Sequence, residues 1–134
     1  CSGWKLKKGA MASSAAPDDN NIVVLGANAN DMAVAVNHLI ENGGGQVVVC
    51  DGEVIEFLPL PVGGICSDAE PSEIARIEKL LSKAANDLGC DLPEPLMYMF
   101  FLPITAIPDY AITDLGPVDC IALEVINPII EENL

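Results

Sequence analysis

Aromatic and basic side chains are scarce in this sequence of 134 residues: Phe, Trp and Tyr make up 4%, and six Lys and Arg face 20 Asp and Glu. With so few rings, a core has to be assembled from Val, Ile, Leu, Ala and Met, and a hydrophobic content of 51% supplies them. That content argues against intrinsic disorder. The formal net charge of −14 repels phosphate backbones and anionic lipid heads, so neither nucleic acid nor membrane is expected as a partner. Three of the six basic residues, Lys5, Lys7 and Lys8, crowd near the N-terminus, which leaves the rest of the surface acidic.

Metal-binding and nucleophile motifs are lacking too. The five cysteines, Cys1, Cys50, Cys66, Cys90 and Cys120, are widely and unevenly spaced, with no CxxC pair and no Cys/His cluster of zinc spacing. Isolated thiols in odd number fit a reducing cytoplasm, where cysteine acts as a small hydrophobe. The single histidine, His38, is expected at a core edge or in solvent, not as a ligand. No G-x-S-x-G elbow is present to serve a Ser/His/Asp arrangement. Gly26 opens a helix after a strand, yet the later glycines of a dinucleotide fingerprint are absent. An acidic cluster of Asp18, Asp19 and a neighbouring carboxylate is the one place a divalent cation suggests itself, and nothing in its spacing is specific. The apolar runs around Met97 to Ile107 are interrupted by prolines and too short to span a bilayer.

The length suits one domain over residues 1–134, large enough to remove about two-thirds of its unfolded surface from water. Residues 1–8 read as a lead-in. Gly9 to Ala16 holds small residues and Met11, fitting a tightly packed strand or turn. Pro17 to Asn21 is a concentrated turn signal. Ile22 to Leu25 is an apolar run of strand length, expected to be buried on both faces and ended by Gly26. Asn28 or Asn30 can cap a helix whose first turn holds Asp31 and whose apolar stripe is Met32, Val36, Leu39 and Ile40. Asn42 and Gly43 close it, with Gly43 to Gly45 as cap and linker.

Gln46 to Cys50 and Glu53 to Leu58 flank Asp51-Gly52, the pattern of a two-residue hairpin turn with positive φ at both central residues. Pro59 and Pro61 end the second strand. A second helix runs from Pro71 to Gly89 with Ile74, Ile77, Leu81, Ala84 and Leu88 inward and Glu73, Arg76, Lys79 and Lys83 in water. Leu96 to Leu102 reads either as an aromatic-rich strand or as a buried helical turn. Two more strands are expected at Tyr110 to Thr113 and Val118 to Val125. Together these predict an α+β domain, layered, with a mainly antiparallel sheet of about six strands flanked by helices.

Taken in order, the small-residue strand, polar turn, Val/Ile strand ending in Gly26, helix closed by Gly43 to Gly45 and Asp51-Gly52 hairpin resemble the C-terminal domain of bacterial and archaeal adenine deaminases. The likeness continues through Leu58-Pro59-Leu60-Pro61, Cys66-Ser67-Asp68, Ile107-Pro108, Ile112-Thr113-Asp114, Gly116 and Val118-Asp119. It implies an accessory domain of an enzyme that hydrolyses adenine to hypoxanthine and ammonia, using a hydroxide generated at manganese or iron. In such enzymes the metal ligands and the HxH motif belong to a preceding amidohydrolase barrel. The resemblance therefore implies that this chain holds no metal, is inactive by itself, and has that barrel as partner, with homo-oligomerisation a further role.

Ligand or interface candidates implied by the resemblance are Ser13, Ser14, Asp18 and Asn21. Family members commonly read Ala-His-Asp-Ser-His-Asn where this chain reads Ala16-Pro17-Asp18-Asp19-Asn20-Asn21. Only Asp18 and Asn21 retain the expected polar side chains, and Pro17 and Asn20 cannot replace basic nitrogens. The alternative is a free-standing small-molecule-binding or assembly module derived from that domain, in which an exposed apolar patch would mark the old interface.

Overall fold

The computed structural model describes residues 3–16 and 21–127. Its order is β1 (Ala10–Ser13), β2 (Val23–Gly26), α1 (Ala29–Glu41), β3 (Gly45–Cys50), β4 (Glu53–Pro59), α2 (Pro71–Asp87), α3 (Pro95–Met99), β5 (Tyr110–Thr113), β6 (Gly116–Asp119) and β7 (Glu124–Val125). The class is α+β with antiparallel pairing throughout, but the strands form two sheets where one of about six strands was expected. Four make a sheet in the order β2-β1-β3-β4, and three make a second in the order β5-β6-β7.

Side-chain alternation along the first sheet divides the core into two layers. Ala10, Ala12, Val47 and Val49 meet Ala35 and Leu39 of α1 on one face. Met11, Val48, Cys50 and Leu58 meet Ile77, Leu81, Ala85 and Met99, from α2 and α3, on the other. The small side chains of β1 let α1 approach closely. Gly26 belongs to the same contact, since a Cβ there would run into Met32 and Ala10. Trp4 is buried within the α2 layer, and the Lys7 N–H donates to the Leu88 carbonyl at 3.0 Å, so the segment before β1 lies along the end of α2.

Helix α1 starts at Asn28, whose side-chain oxygen accepts from the Asp31 N–H at 2.8 Å while its amide donates to the Asp31 carboxylate at 2.7 Å. The other Asp31 oxygen accepts from the Gly52 N–H at 2.7 Å, tying the helix start to the β3–β4 turn. That turn has φ of 54° at Asp51 and 80° at Gly52, as the Asp-Gly pair predicts. Asp31 is only 2% exposed. Donation by Asn28, then by Gly52, holds its carboxyl below the ordinary carboxylate range, against a smaller upward push from burial.

Several expectations need correction. Ile40 is 63% exposed, because the buried face of α1 is Asp31, Ala35 and Leu39. β2 is covered on both faces as expected, with Val23 and Leu25 against the α2 layer and Ile22 and Val24 against the α1 layer, but it is only half-buried because it pairs with β1 alone and forms an edge. Of the two readings for Leu96 to Leu102, the helical one holds: Pro95 starts α3 and Leu96 and Met99 face inward. The final expected strand is two, since Asp119 accepts from the N–H groups of Ile121 and Ala122 and turns the chain between β6 and β7. α2 matches its predicted face, with Ile77, Leu81 and Ala84 buried. The turn at Pro17 to Asn20, and Cys1, lie outside the described residues.

Leu39→Ala is expected to lower the unfolding free energy by about 2–5 kcal/mol, whereas Ile40→Ala should change it by less than about 0.5 kcal/mol; urea titrations of the two variants read the difference. Asp31 has a depressed folded-state pKa, so its stabilisation is fully present above its unfolded value, near pH 4, and is lost as pH falls through the folded value. The gap in melting temperature between the native chain and Asp31→Asn should accordingly shrink as the pH is lowered from 6 toward about 2.

Candidate functional site

Ser13, Ser14 and Asn21 gather where β1 ends and β2 begins, because antiparallel pairing places Ser13 opposite Val23. Ser13 is buried, and its hydroxyl accepts from the Ala15 N–H at 3.1 Å. Ser14 is more heavily engaged. Its hydroxyl accepts from the Gly45 N–H at 2.8 Å and donates to the Gly64 carbonyl at 2.6 Å, joining the end of β1 to the start of β3 and to the loop after β4. Gly44 makes this junction possible, since a Cβ there would collide with Gly64 and approach the Ser14 hydroxyl at 2.8 Å. Asn21 is exposed just before β2. Asp18 and Asp19 lie outside the described residues.

Asn21 also stands at one end of a cleft of about 380 Å³ that runs along β2. One wall is Ile22 to Leu25; the other is Leu102, Pro103, Ile112, Thr113 and Asp114. This cleft was not anticipated, because it depends on β2 being an edge and on β5 lying nearby. A larger cleft of about 620 Å³, lined among others by Lys79, Ser82, Met97 and Phe100, opens between α2 and α3 and touches none of the candidates.

The second sheet exposes apolar side chains on both of its faces, since Val125 pairs through Val118 with Ala111 and so lies on the face opposite Tyr110 and Ile112. Tyr110, Ile112 and Val125 are exposed on its strands, and Leu115 and Leu123, in its turns, are 75% and 81% exposed. Leu123 has φ of 57°, a left-handed conformation uncommon for leucine. Leu123 takes no part in either core cluster of the described residues.

Metal ligation finds little support among the described residues. No three His, Cys, Asp or Glu side chains come together. His38 lies edge-on to Phe57, ring centres 4.5 Å apart, with its Nε2 buried and without a partner. Both Asp31 oxygens are already hydrogen-bonded. The Cys50 thiol donates to Asp51, and burial, more than that bond, pushes its pKa up and away from the thiolate a metal needs. These residues do not fit a catalytic manganese or iron. No helix among them is long and apolar enough to cross a membrane.

Known proteins place this architecture. The family model of the adenine deaminase C-terminal domain matches residues 1–124. Adenine deaminase 1 of Desulfotalea psychrophila is 79% identical over 133 residues, covering 99% of this chain and 22% of the relative. Adenine deaminase 4 of Rhizobium meliloti is 64% identical over 96% of the chain and 21% of the relative. Adenine deaminase 1 of Latilactobacillus sakei is 61% identical over 96% and 22%. The chain thus spans about a fifth of the length of the curated relatives it matches. With the family model covering nearly all of the sequence, and an α+β domain of the predicted helices and hairpin beneath it, the chain belongs to the adenine deaminase C-terminal domain family.

Proposed function

We propose that this chain serves as the accessory domain of an adenine deaminase that converts adenine and water to hypoxanthine and ammonia. Its partner is the catalytic portion of that enzyme, which would hold the manganese or iron and so supply the hydroxide that hydrolysis needs. The accessory domain packs against that portion and shapes the mouth of its active site. Ser13, Ser14 and Asn21 lie at or beside one end of the β1–β2 pair, and in this reading that end faces the catalytic portion; Asp18, between them in sequence, belongs to the same candidate set. Ser14 acts there by holding backbone in place, since its hydroxyl is taken up by Gly45 and Gly64.

The observation that carries the reading is the apolar surface of the second sheet. Leu115 and Leu123 are 75% and 81% exposed in its turns, and Tyr110 and Ile112 are exposed on its first strand. Large contiguous apolar patches mark interaction surfaces in soluble proteins. Leu123 strengthens the point, because a left-handed backbone costs energy for a leucine and favours Gly or Asn. A residue held against its preference, with its side chain in water, is accounted for by a partner that buries it.

Purified alone, the 134-residue chain is expected to release neither hypoxanthine nor ammonia from adenine in manganese- or iron-supplemented buffer, and to carry less than stoichiometric metal. Turnover with bound metal would overturn the assignment of the chemistry to another portion. Leu123→Asn should leave the melting temperature of the isolated chain unchanged or slightly raised. The same replacement at the aligned position of the full-length Desulfotalea psychrophila relative should lower its thermal stability, as read by calorimetry; an unchanged transition there would remove the turn from the interface.

A further inference from the structure

The two edges of the first sheet are treated differently. β4 is a guarded edge: it carries Glu53 and Glu56, its register with β3 shifts at Val48/Val49, and it ends on Pro59, which has no N–H to offer. β2 has none of these devices. Val23, Val24 and Leu25 carry no charge, the register with β1 is unbroken, and no proline interrupts the strand. Such an edge is a template for another strand.

The ladder shows which backbone groups are open. The Ala27 N–H donates to the Gly9 carbonyl at 2.9 Å, so Gly9 and Ala27 form a hydrogen-bonded pair. Two residues along, the same kind of pair joins Met11 to Leu25, and then Ser13 to Val23. Val24 and Gly26 consequently turn their N–H and C=O groups away from β1. The cleft of about 380 Å³ lies along this strand, and its far wall is Leu102, Pro103 and Ile112 to Asp114. β5 already receives Leu102 on its side of the cleft, where the Ile112 N–H donates to the Leu102 carbonyl at 3.0 Å. The open hydrogen-bonding edge is therefore that of β2.

We infer that the β2 cleft receives an extended segment from the catalytic portion of the enzyme, adding a fifth strand to the first sheet. This rests on the accessory-domain reading and names the contact through which it works. Strand addition would satisfy the backbone groups of Val24, while the apolar walls bury the side chains on either side. Two facts select the occupant. Relatives have nearly four-fifths of their length outside the region matched here, so a tethered partner is available to them. Charge argues in the same direction. Asp114 closes one end of the cleft, takes part in none of the ion pairs of the described residues, and no Lys or Arg lines the walls. A second copy, with a net charge of −14, would bring repulsion to that end, whereas an apolar segment with a Lys or Arg at its end would complement it.

Amide hydrogen exchange tests this in two proteins, the 134-residue chain and the full-length Desulfotalea psychrophila relative. In the chain alone Val24 should exchange faster than Val23 and Leu25, whose N–H groups bond to β1. In the full-length relative the amide aligned with Val24 should slow by about tenfold or more. Val24→Pro removes an N–H that β1 does not use, so the isolated chain should keep its melting temperature, and the variant relative should lose protection along β2. Ile112→Lys, which leaves every β2 N–H in place but puts a charge on the exposed far wall of the cleft, should do the same and covers the case in which proline, at a residue packed against the α1 layer, disturbs folding. Slowing over β5 to β7 without slowing at Val24 would overturn the inference and leave the accessory-domain reading intact. Slowing at neither would overturn both. Protection of Val24 in the isolated chain, whether it grows with protein concentration or appears on adding adenine alone, would assign the cleft to a second copy or to a small molecule and overturn the inference.

Discussion

The closeness of α1 to the sheet is the constraint from which the rest of the domain follows. Ala10, Ala12 and Ala35 are all fully buried at that contact, and Gly26 leaves the last space for Met32. Larger side chains on β1 would lift the helix, and with it Asp31, away from the Gly52 N–H. The β3–β4 hairpin would then lose the bond that seats its turn against the helix start. At the opposite end of α1, the Gly44 N–H bonds to the Leu39 carbonyl, and the chain passes directly into Gly45, where Ser14 collects the backbone. One tight helix-to-sheet contact thus sets both ends of the hairpin.

Against this compact half, the portion from Pro103 to Val125 has a different character. It is built on short strands, its turns are held by local bonds such as Thr113 to Gly116 and Asp119 to Ile121, and its apolar side chains point largely outward. Two surfaces in the same region are incomplete in complementary ways. Among the described residues, the second sheet has exposed apolar side chains, and β2 has backbone groups turned away from β1. A single partner lying over this side of the molecule would satisfy both, which is the expected condition of a domain that spans about a fifth of its relatives.

How much of this was legible in the sequence depended on whether the signal was local. The Asp51-Gly52 turn, the Asn28 cap, the Pro71 start of α2 and the apolar face of that helix were readable because each depends on a few neighbouring residues. Ile22 to Leu25 was legible as a strand packed on both faces but not as an edge, because an apolar run looks the same in a central strand and in an edge strand. Ile40 misled for a related reason: apolar spacing suggested a stripe, but the sheet presses on Asp31, Ala35 and Leu39, including an aspartate whose burial only its cap and the distant Gly52 can satisfy. Of the candidate residues, the resemblance singled out Ser13, Ser14 and Asn21, and only the structure brings them to one end of the β1–β2 pair. The resemblance could not reveal that Ser14 bridges Gly45 and Gly64, since those partners are 31 and 50 residues away. The cleft itself was invisible, being made by strands from opposite ends of the chain.

The scarcity of aromatic residues has an optical consequence. Trp4 is the only tryptophan, and it belongs to the core cluster beneath α2 that also holds Leu81, Leu88 and Cys90. Indole emission from this domain therefore comes from one site whose surroundings turn from hydrocarbon to water when that layer opens. Light from Trp4 reports on the seam between the lead-in segment and α2, and a partner that settles over the β5–β7 side could be followed by other means while that signal stays quiet.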